Sequence, residues 1–463
     1  MAEEKDNFRD HIATADKSGK RLWVYPTKPK GKLYTSRTIV SWFLLVILFG
    51  VPFIKIDGNP LLMLNIIERK FFIFGNAFWP QDFHLFVLIG IALVLFIVLF
   101  TAVFGRLFCG WACPQTIFLE MVFRKIEYFI EGNAGSQRRL AAAPLSAGKI
   151  FKKGSKHLIF FGLSFLIGNL LLAYVIGLDQ LVKIITDPPS QHVGGLTAMI
   201  LFSGLFYFIF AWFREQACTL VCPYGRLQSV LLDDNSIVIA YDYKRGEPRG
   251  AVERGQDFSQ RGHCISCDAC VKVCPTGIDI RNGTQLECVN CTACIDACNN
   301  VMNKLSLPKG LIKYASGNII EKGDKFRITG RIIGYTVAFT ILLTVISLLL
   351  INRTDVETTI LRTAGTLYEE TDDGMIRNLY NLSIVNKTTH ELPIELHLKA
   401  PEGTITVVGT DITVPPSGKT ETVFFVNIEK VHLFSPNTMI AIEIVSNGET
   451  LEEIKSNFMG PRK

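Results

Sequence analysis

The chain has 463 residues, 49% of them hydrophobic, and a formal net charge of +6. It is too long for one ordinary domain, and its apolar residues are bunched into long runs, which excludes a single soluble globular domain. The modest positive charge follows from basic segments flanking those runs and gives no reason to expect a nucleic-acid partner.

Residues 1–37 are polar and basic, and no small-residue cleavage site follows the first apolar run, so they read as a retained cytoplasmic tail. Five runs then approach or exceed the roughly 20 apolar residues that cross a bilayer as a helix. They are Thr38–Ile54, His84–Phe104, Leu158–Leu178, Gly195–Phe213 and Ile332–Ile351. The first is short enough that a buried core helix is its alternative. The tail carries Lys28, Lys30, Lys32 and Arg37. The segment between the second and third runs carries Arg124, Lys125, Arg138, Arg139, Lys152, Lys153 and Lys156, whereas the segment between the third and fourth holds only Lys183. The bias predicts a cytoplasmic N-terminus and, after five crossings, an extracytoplasmic C-terminal domain.

The second run is followed by CGWACP, from Cys109 to Pro114, and the fourth by CTLVCP, from Cys218 to Pro223. Each half thus reads span, span, C-x3-C-P, amphipathic helix, with a basic residue near each motif, Arg106 and Arg214, in different registers. This suggests an internal duplication. Residues i and i+4 share a helix face, so the thiols of each pair are expected to converge. Proline suits the first position of a new helix, which would start at PQTIFLEMVFRKIEYFI and PYGRLQSVLLDD. A helix N-terminus beside Cys113 or Cys222 favours thiolate. If the halves pack about a pseudo-twofold axis, Cys109, Cys113, Cys218 and Cys222 meet at one redox site. Three readings stay open there: copper or dithiol chemistry, a third iron–sulfur cluster, or thiols that merely pack at helix ends.

Residues 231–330 hold two further runs, CISCDACVKVCP from Cys264 and CVNCTACIDAC from Cys288. Both are C-x2-C-x2-C-x3-C, the ligand spacing of a ferredoxin with two [4Fe–4S] clusters. Three close cysteines wrap one cluster, and the fourth of each run reaches the other. That assigns Cys264, Cys267, Cys270 and Cys298 to one cluster, and Cys288, Cys291, Cys294 and Cys274 to its neighbour. Asn299 stands where the second run would carry its proline. Zinc knuckles are the bland alternative, but they favour paired C-x2-C units or Cys/His mixtures. All twelve cysteines fall on the predicted cytoplasmic side, as suits reduced thiols and not a disulfide framework. His84, His157 and His192 form no paired pattern across facing spans and read as ordinary interfacial histidines. No C-x-x-C-H, dinucleotide or P-loop motif occurs.

After the fifth run, 352–463 turns to short β-branched segments separated by PPSG and SNGE, a pattern that predicts one extracytoplasmic β-sandwich. The domain reading is therefore a tail (1–37), a four-span membrane domain (38–230), a ferredoxin domain (231–330), a fifth span (331–351) and an immunoglobulin-like domain (352–463).

The order of these parts resembles the CcoG/FixG/RdxA family, accessory proteins of cbb3-type cytochrome c oxidase. The resemblance implies a multi-pass protein of the bacterial inner membrane that reduces Cu(II) to Cu(I), with copper ions and the oxidase assembly machinery as partners and an unidentified electron donor. Two other functions remain compatible: a quinol-oxidising membrane ferredoxin feeding a partner reductase, and a non-catalytic assembly scaffold.

Overall fold

The computed structural model describes residues 13–461 except 17, 252–260, 324, 364, 366, 410 and 434. Among the described residues, five helices are long and apolar enough to cross a membrane: Lys32–Phe53, Pro80–Phe104, Ala147–Ile176, Val193–Phe213 and Gly330–Ile351. All five start before their apolar runs, the first and the third by the widest margin. The first helix begins at Lys32, inside the supposed tail, because the Asp296 carboxylate accepts hydrogen bonds from the Leu33 and Tyr34 amides at 3.4 and 2.8 Å. A residue of the ferredoxin segment thus satisfies two of the amides that a helix N-terminus leaves free. The third helix begins at Ala147, because Lys153 and Lys156 are paired with acids and need not remain in a solvated loop.

The chain divides into two compact units. The first comprises Met1–Gly50, Phe86–Ala173 and Leu178–Ile346, and holds the bulk of the apolar helices, all twelve cysteines and the ferredoxin segment. Its helical core gathers Phe118, Phe123, Phe160 and Phe210, with the Phe123 and Phe210 rings stacked at 4.7 Å.

The second unit comprises Val51–Leu85, Tyr174–Gly177 and Ser347–Lys463. Its C-terminal part is a sandwich of two antiparallel sheets. One orders Gly403–Val407, Lys419–Glu429, Met375–Asn386 and Val356–Arg362. The other orders Ile412–Val414, Leu392–Ala400, Asn437–Ser446 and Glu449–Met459. Alternate residues point inward, as the pleat requires. Ile376, Tyr380, Leu382 and Ile384 face Phe424, Val426 and Ile428 and the buried Ile440, Ile442 and Ile444. The buried Tyr380 hydroxyl donates to the Asn457 carbonyl at 2.8 Å. Between the first two spans lie short strands from Lys55 to Phe78 that the apolar pattern does not announce.

Buried charge fastens the end of this segment to the sandwich. Asp82 accepts from Arg353 at 2.8 Å and from Lys387 at 2.9 Å, and Lys387 also meets Glu357 at 2.8 Å. Asp82 and Lys387 are both buried. Breaking a buried pair from one side costs about 3–5 kcal/mol, because the other charge is stranded. Asp82→Ala is therefore expected to destabilise the second unit by about that amount. An earlier thermal loss of β-sheet circular dichroism in the full chain, with the helical signal retained, would report it.

Candidate redox centre

The duplication is visible in the backbone. The second and fourth spans end at Phe104 and Phe213, and the next residue of each has positive φ, 55° at Gly105 and 51° at Arg214. Four residues on come Cys109 and Cys218. Each motif then closes with the same wide turn: the Cys113 amide donates to the Phe108 carbonyl, and the Cys222 amide to the Ala217 carbonyl, both at 2.9 Å. Pro114 and Pro223 start new helices with Cys113 and Cys222 as their N-caps. The chain therefore breaks between the two thiols of each pair, and they do not share one continuous helix face. The long helix expected after Cys113 is also interrupted, by a π-helical segment at Phe118–Phe123.

The four thiols nevertheless lie within electrostatic reach of one another, although, among the described residues, no three of them stand close enough to be ligands of one ion. Cys109 feels the charges of Cys113 and Cys222, and Cys218 feels those of Cys113, Cys109 and Cys222. Each half supplies a hydrogen-bond partner to the other: Cys109 Sγ donates to Gln228 Oε1 at 3.3 Å, and Cys218 bonds to the Thr116 side chain. Burial pushes the Cys109 and Cys218 thiols up to about 12, and neighbouring thiols add to the rise. Thiols raised in this way resist charging unless a soft cation displaces the protons.

The flanking arginines differ in role. Arg106 lies near the thiols and lowers Cys109. Arg214 turns away and grips Glu127 with two bonds, at 2.7 and 2.9 Å, fully buried. Its φ of 51° and ψ of −123° are costly for a side-chain-bearing residue, by about 1–3 kcal/mol. The pairing over-determines that conformation.

The ferredoxin segment holds two adjoining cavities. Cys264, Cys267, Cys270 and Cys298 line one, with about 360 Å³ of empty space. Cys274, Cys288, Cys291 and Cys294 line the other, with about 340 Å³, and Cys270 borders both. Cys267 is exposed, whereas Cys291 and Cys294 are buried.

The local backbone is the same in both runs. Ser266 and Asp268, on either side of Cys267, have φ of 52° and 57°; Asn290 and Thr292, on either side of Cys291, have 52° and 66°. Alternation with left-handed residues turns successive amides toward one concavity, a nest that suits an anionic cluster. The Asn290, Ala293 and Ile312 amides bond to the sulfurs of Cys288, Cys291 and Cys298. Burial raises these thiols too, Cys291 to about 11 and Cys270, Cys288 and Cys298 to about 12. Among the described residues, no three Cys, His, Asp or Glu groups converge as ligands of a single ion. Cysteines of a cubane bind different irons and stand farther apart than ligands of one ion. Thiols and nests together fit iron–sulfur clusters.

The two groups of cysteines are neighbours. A Cβ added at Gly110 would lie 2.5 Å from the Val289 carbonyl oxygen and 2.6 Å from that of Asn290, in the loop between Cys288 and Cys291. Trp111 Nε1 donates to the Tyr314 hydroxyl at 3.2 Å, and that hydroxyl donates to the Asn290 carbonyl at 3.3 Å. The Arg106 charge lowers both Cys109 and Cys288. Buried Arg37 holds the Gly110 carbonyl at 2.6 Å.

Beside the motifs runs an ionic network that cysteine spacing does not reveal. Arg124 and Lys156, counted above only as topology signals, are buried and paired with Glu120 and Glu131. Burial would push the Glu127 carboxyl up, but Arg214, Lys156 and Arg124 hold it below the ordinary carboxylate range. The readable signal was the spacing of Glu120, Arg124, Glu127 and Glu131, which places four charges on one face of an otherwise apolar helix.

Comparison with known proteins matches three stretches to protein families. Residues 213–317 match a 4Fe-4S dicluster domain, residues 86–133 a 4Fe-4S binding domain, and residues 346–461 the IG-like fold at the C-terminus of FixG. Nitrogen fixation protein FixG of Rhizobium meliloti is 35% identical over 314 residues, 64% of this chain and 58% of that protein. The chain thus spans little more than half the length of that relative. Protein RdxA of Cereibacter sphaeroides is 32% identical over 403 residues, 83% of each chain. Protein RdxB of the same organism is 31% identical over 428 residues, 87% of this chain and 89% of that one. The crystal structure of a FixG-related protein from Vibrio parahaemolyticus covers 23% of this chain and 97% of that one, at 21% identity and a TM-score of 0.20.

Proposed function

Since the chain belongs to the FixG/RdxA family and is an iron–sulfur electron-transfer protein of the membrane, we propose that it reduces Cu(II) to Cu(I) at Cys109, Cys113, Cys218 and Cys222. Copper is the substrate, and the reduced ion would supply assembly of a cbb3-type cytochrome c oxidase. In this reading the N-terminus and all cysteines are cytoplasmic, and the C-terminal sandwich is extracytoplasmic.

Cys264, Cys267, Cys270 and Cys298 hold one [4Fe–4S] cluster in the proposal, and Cys274, Cys288, Cys291 and Cys294 hold the other. Bound clusters supply reversible one-electron storage. The protein's part is to orient four sulfurs around each, donate amide hydrogen bonds to them, and keep water from the inner cavity. Exchange of the fourth cysteine between runs has a direct consequence. Cys298→Ala and Cys264→Ala are expected to lose the same electron paramagnetic resonance signal, with bound iron falling from about eight to about four. Cys274→Ala removes the other signal.

The observation that carries the copper reading is the approach of Gly110 to the loop between Cys288 and Cys291. It sets the soft, half-buried group of four thiols against the inner cluster cavity, with one side chain's width removed between them. Thiolates favour Cu(I) over Cu(II), so the pocket biases the copper couple toward the reduced ion. Each Cu(II) takes one electron, and one reduced cluster is reoxidised. Anaerobic protein reduced with dithionite, freed of excess reductant and mixed with Cu(II) and a Cu(I)-specific chelator, should yield about one Cu(I) per reduced cluster. Clusters that stay reduced in the presence of Cu(II) would sink the proposal.

A specific observation favours a second reading of the same pocket. The 4Fe-4S binding domain matched over residues 86–133 includes Cys109 and Cys113. Two cysteines are too few for a cubane, but the second half brings Cys218 and Cys222 to them. About twelve irons per chain, in place of about eight, would assign a third cluster there and move copper reduction elsewhere.

A further inference from the structure

The end of the helix that leads into the second cysteine motif also lines a cavity that the copper reading does not use. It holds about 1230 Å³ of empty space, between the start of the Ala147–Ile176 helix and the end of the Val193–Phe213 helix. One wall is aromatic, with Trp23, Tyr25, Phe208 and Trp212. The other is ionisable, with Glu127, Glu131, Lys153, Lys156, His157 and Arg214. Phe208 and Trp212 also stand about half exposed, beside the exposed apolar surface of the two helices, so the aromatic wall continues onto a lipid-facing side.

Every charge on the polar wall already has a partner, although its three cations outnumber its two carboxylates. Glu131 pairs with Lys153 and Lys156 at 3.0 and 2.9 Å, and Glu127 pairs with Arg214. An anionic headgroup would have to displace two carboxylates, so the lining favours a neutral amphiphile that exchanges protons. The Tyr207 hydroxyl bonds to His157 Nδ1 at 2.9 Å, a ready path for a proton. Arg214 is also close to the thiols along the chain: the neighbouring Glu215 accepts the Cys218 amide proton on its carbonyl at 3.2 Å. The cavity wall at Arg214 is thus four residues from Cys218 along the chain.

We propose that this cavity is the electron-donor site and binds an isoprenoid hydroquinone, ring against Trp212 and tail toward the lipid. The inference deepens the reading above and depends on it only for the electron acceptors. Oxidation breaks two O–H bonds of the hydroquinone and leaves the quinone. One proton passes to the Tyr207 oxygen as that hydroxyl gives its own to His157, and the second passes to Glu131. The two electrons go singly to the two oxidised [4Fe–4S] clusters proposed above, or one goes to Cu(II) in the thiol pocket. A two-electron donor thereby serves a one-electron substrate, with the ferredoxin clusters holding the second electron until the next Cu(II) arrives.

Two independent readouts test this. In detergent, decylubiquinone should quench tryptophan fluorescence saturably, through Trp23 and Trp212. In anaerobic mixing, decylubiquinol should bleach the cluster absorbance. Ala211 lines the cavity, and Ala211→Trp should abolish both effects while dithionite still reduces the clusters, which shows that the variant has folded. Glu131→Gln should keep the quenching and slow the bleaching about tenfold or more, as expected for loss of a proton acceptor. Non-saturable quenching, or bleaching at the original rate in Ala211→Trp, would overturn the site. So would protection of the cavity by phosphatidylglycerol vesicles with no response to the quinone, which would assign a structural lipid. Failure of the copper reading shows separately, in Cu(II) reduction by dithionite-treated protein without any quinol.

Discussion

Serine at all four of Cys109, Cys113, Cys218 and Cys222 is expected to bring Cu(II) reduction to background, a loss of at least about 10²-fold, while both ferredoxin signals persist. The argument rests on softness and geometry together. A serine hydroxyl occupies nearly the volume of the thiol and can still bond to Gln228 or Thr116, so the helix ends and their partners are retained. It does not ionise near neutral pH and has little affinity for Cu(I). The ferredoxin cysteines are untouched, so dithionite should reduce their clusters as before. Iron analysis of the same sample separates the two readings of the pocket. Iron unchanged at about eight leaves the pocket to copper, and a fall from about twelve to about eight assigns it a cluster. Copper reduction at the original rate would remove the four thiols from the mechanism altogether.

How much of this was legible in the sequence depends on whether the deciding contact is local. The run LFVLIGIALVLFIVLF contains no charge and announces its helix unaided. The β-branched segments after residue 352 announce inward-facing alternation, which the sandwich core displays at Ile440, Ile442 and Ile444. The spacing of the eight cysteines from Cys264 to Cys298 points to cluster chemistry before any fold is known. Legibility ends where a partner lies far along the chain. The start of the first helix is set by Asp296 of the ferredoxin segment. The early start of the third helix is set by Glu131, which neutralises two lysines that composition assigns to a loop. Gln228 and Thr116 carry no signal of their own, because each matters only through a thiol of the other half. The left-handed residues of the cluster loops were hidden for another reason. Ser266, Asp268, Asn290 and Thr292 are not glycines; Asp and Asn favour a positive φ only weakly, and Ser and Thr give no such signal.

Gly110→Val should keep the metals and lose the transfer. Glycine is required there by close approach and not by an unusual backbone angle. A Cβ at this position would fall 2.5 to 2.8 Å from backbone atoms of Val289 and Asn290, distances that no rotamer of a neighbour can relieve. The CGWACP loop or the Cys288–Cys291 loop must move apart. Arg37, which holds the Gly110 carbonyl, and Trp111, which reaches Tyr314, resist that movement from the CGWACP side. The strain therefore falls on the interface between the two redox sites and not on either set of cysteines. Electron transfer weakens exponentially with separation, so a wider gap between the two sites slows it. We therefore expect normal iron content and normal ferredoxin spectra, but slower cluster reoxidation by Cu(II) in stopped-flow mixing. Gly110→Ala should show the same effect in smaller measure. Unchanged reoxidation in the valine variant would mean that electrons leave the inner cluster by a route that does not pass Gly110, and the proposed order of centres would have to be abandoned.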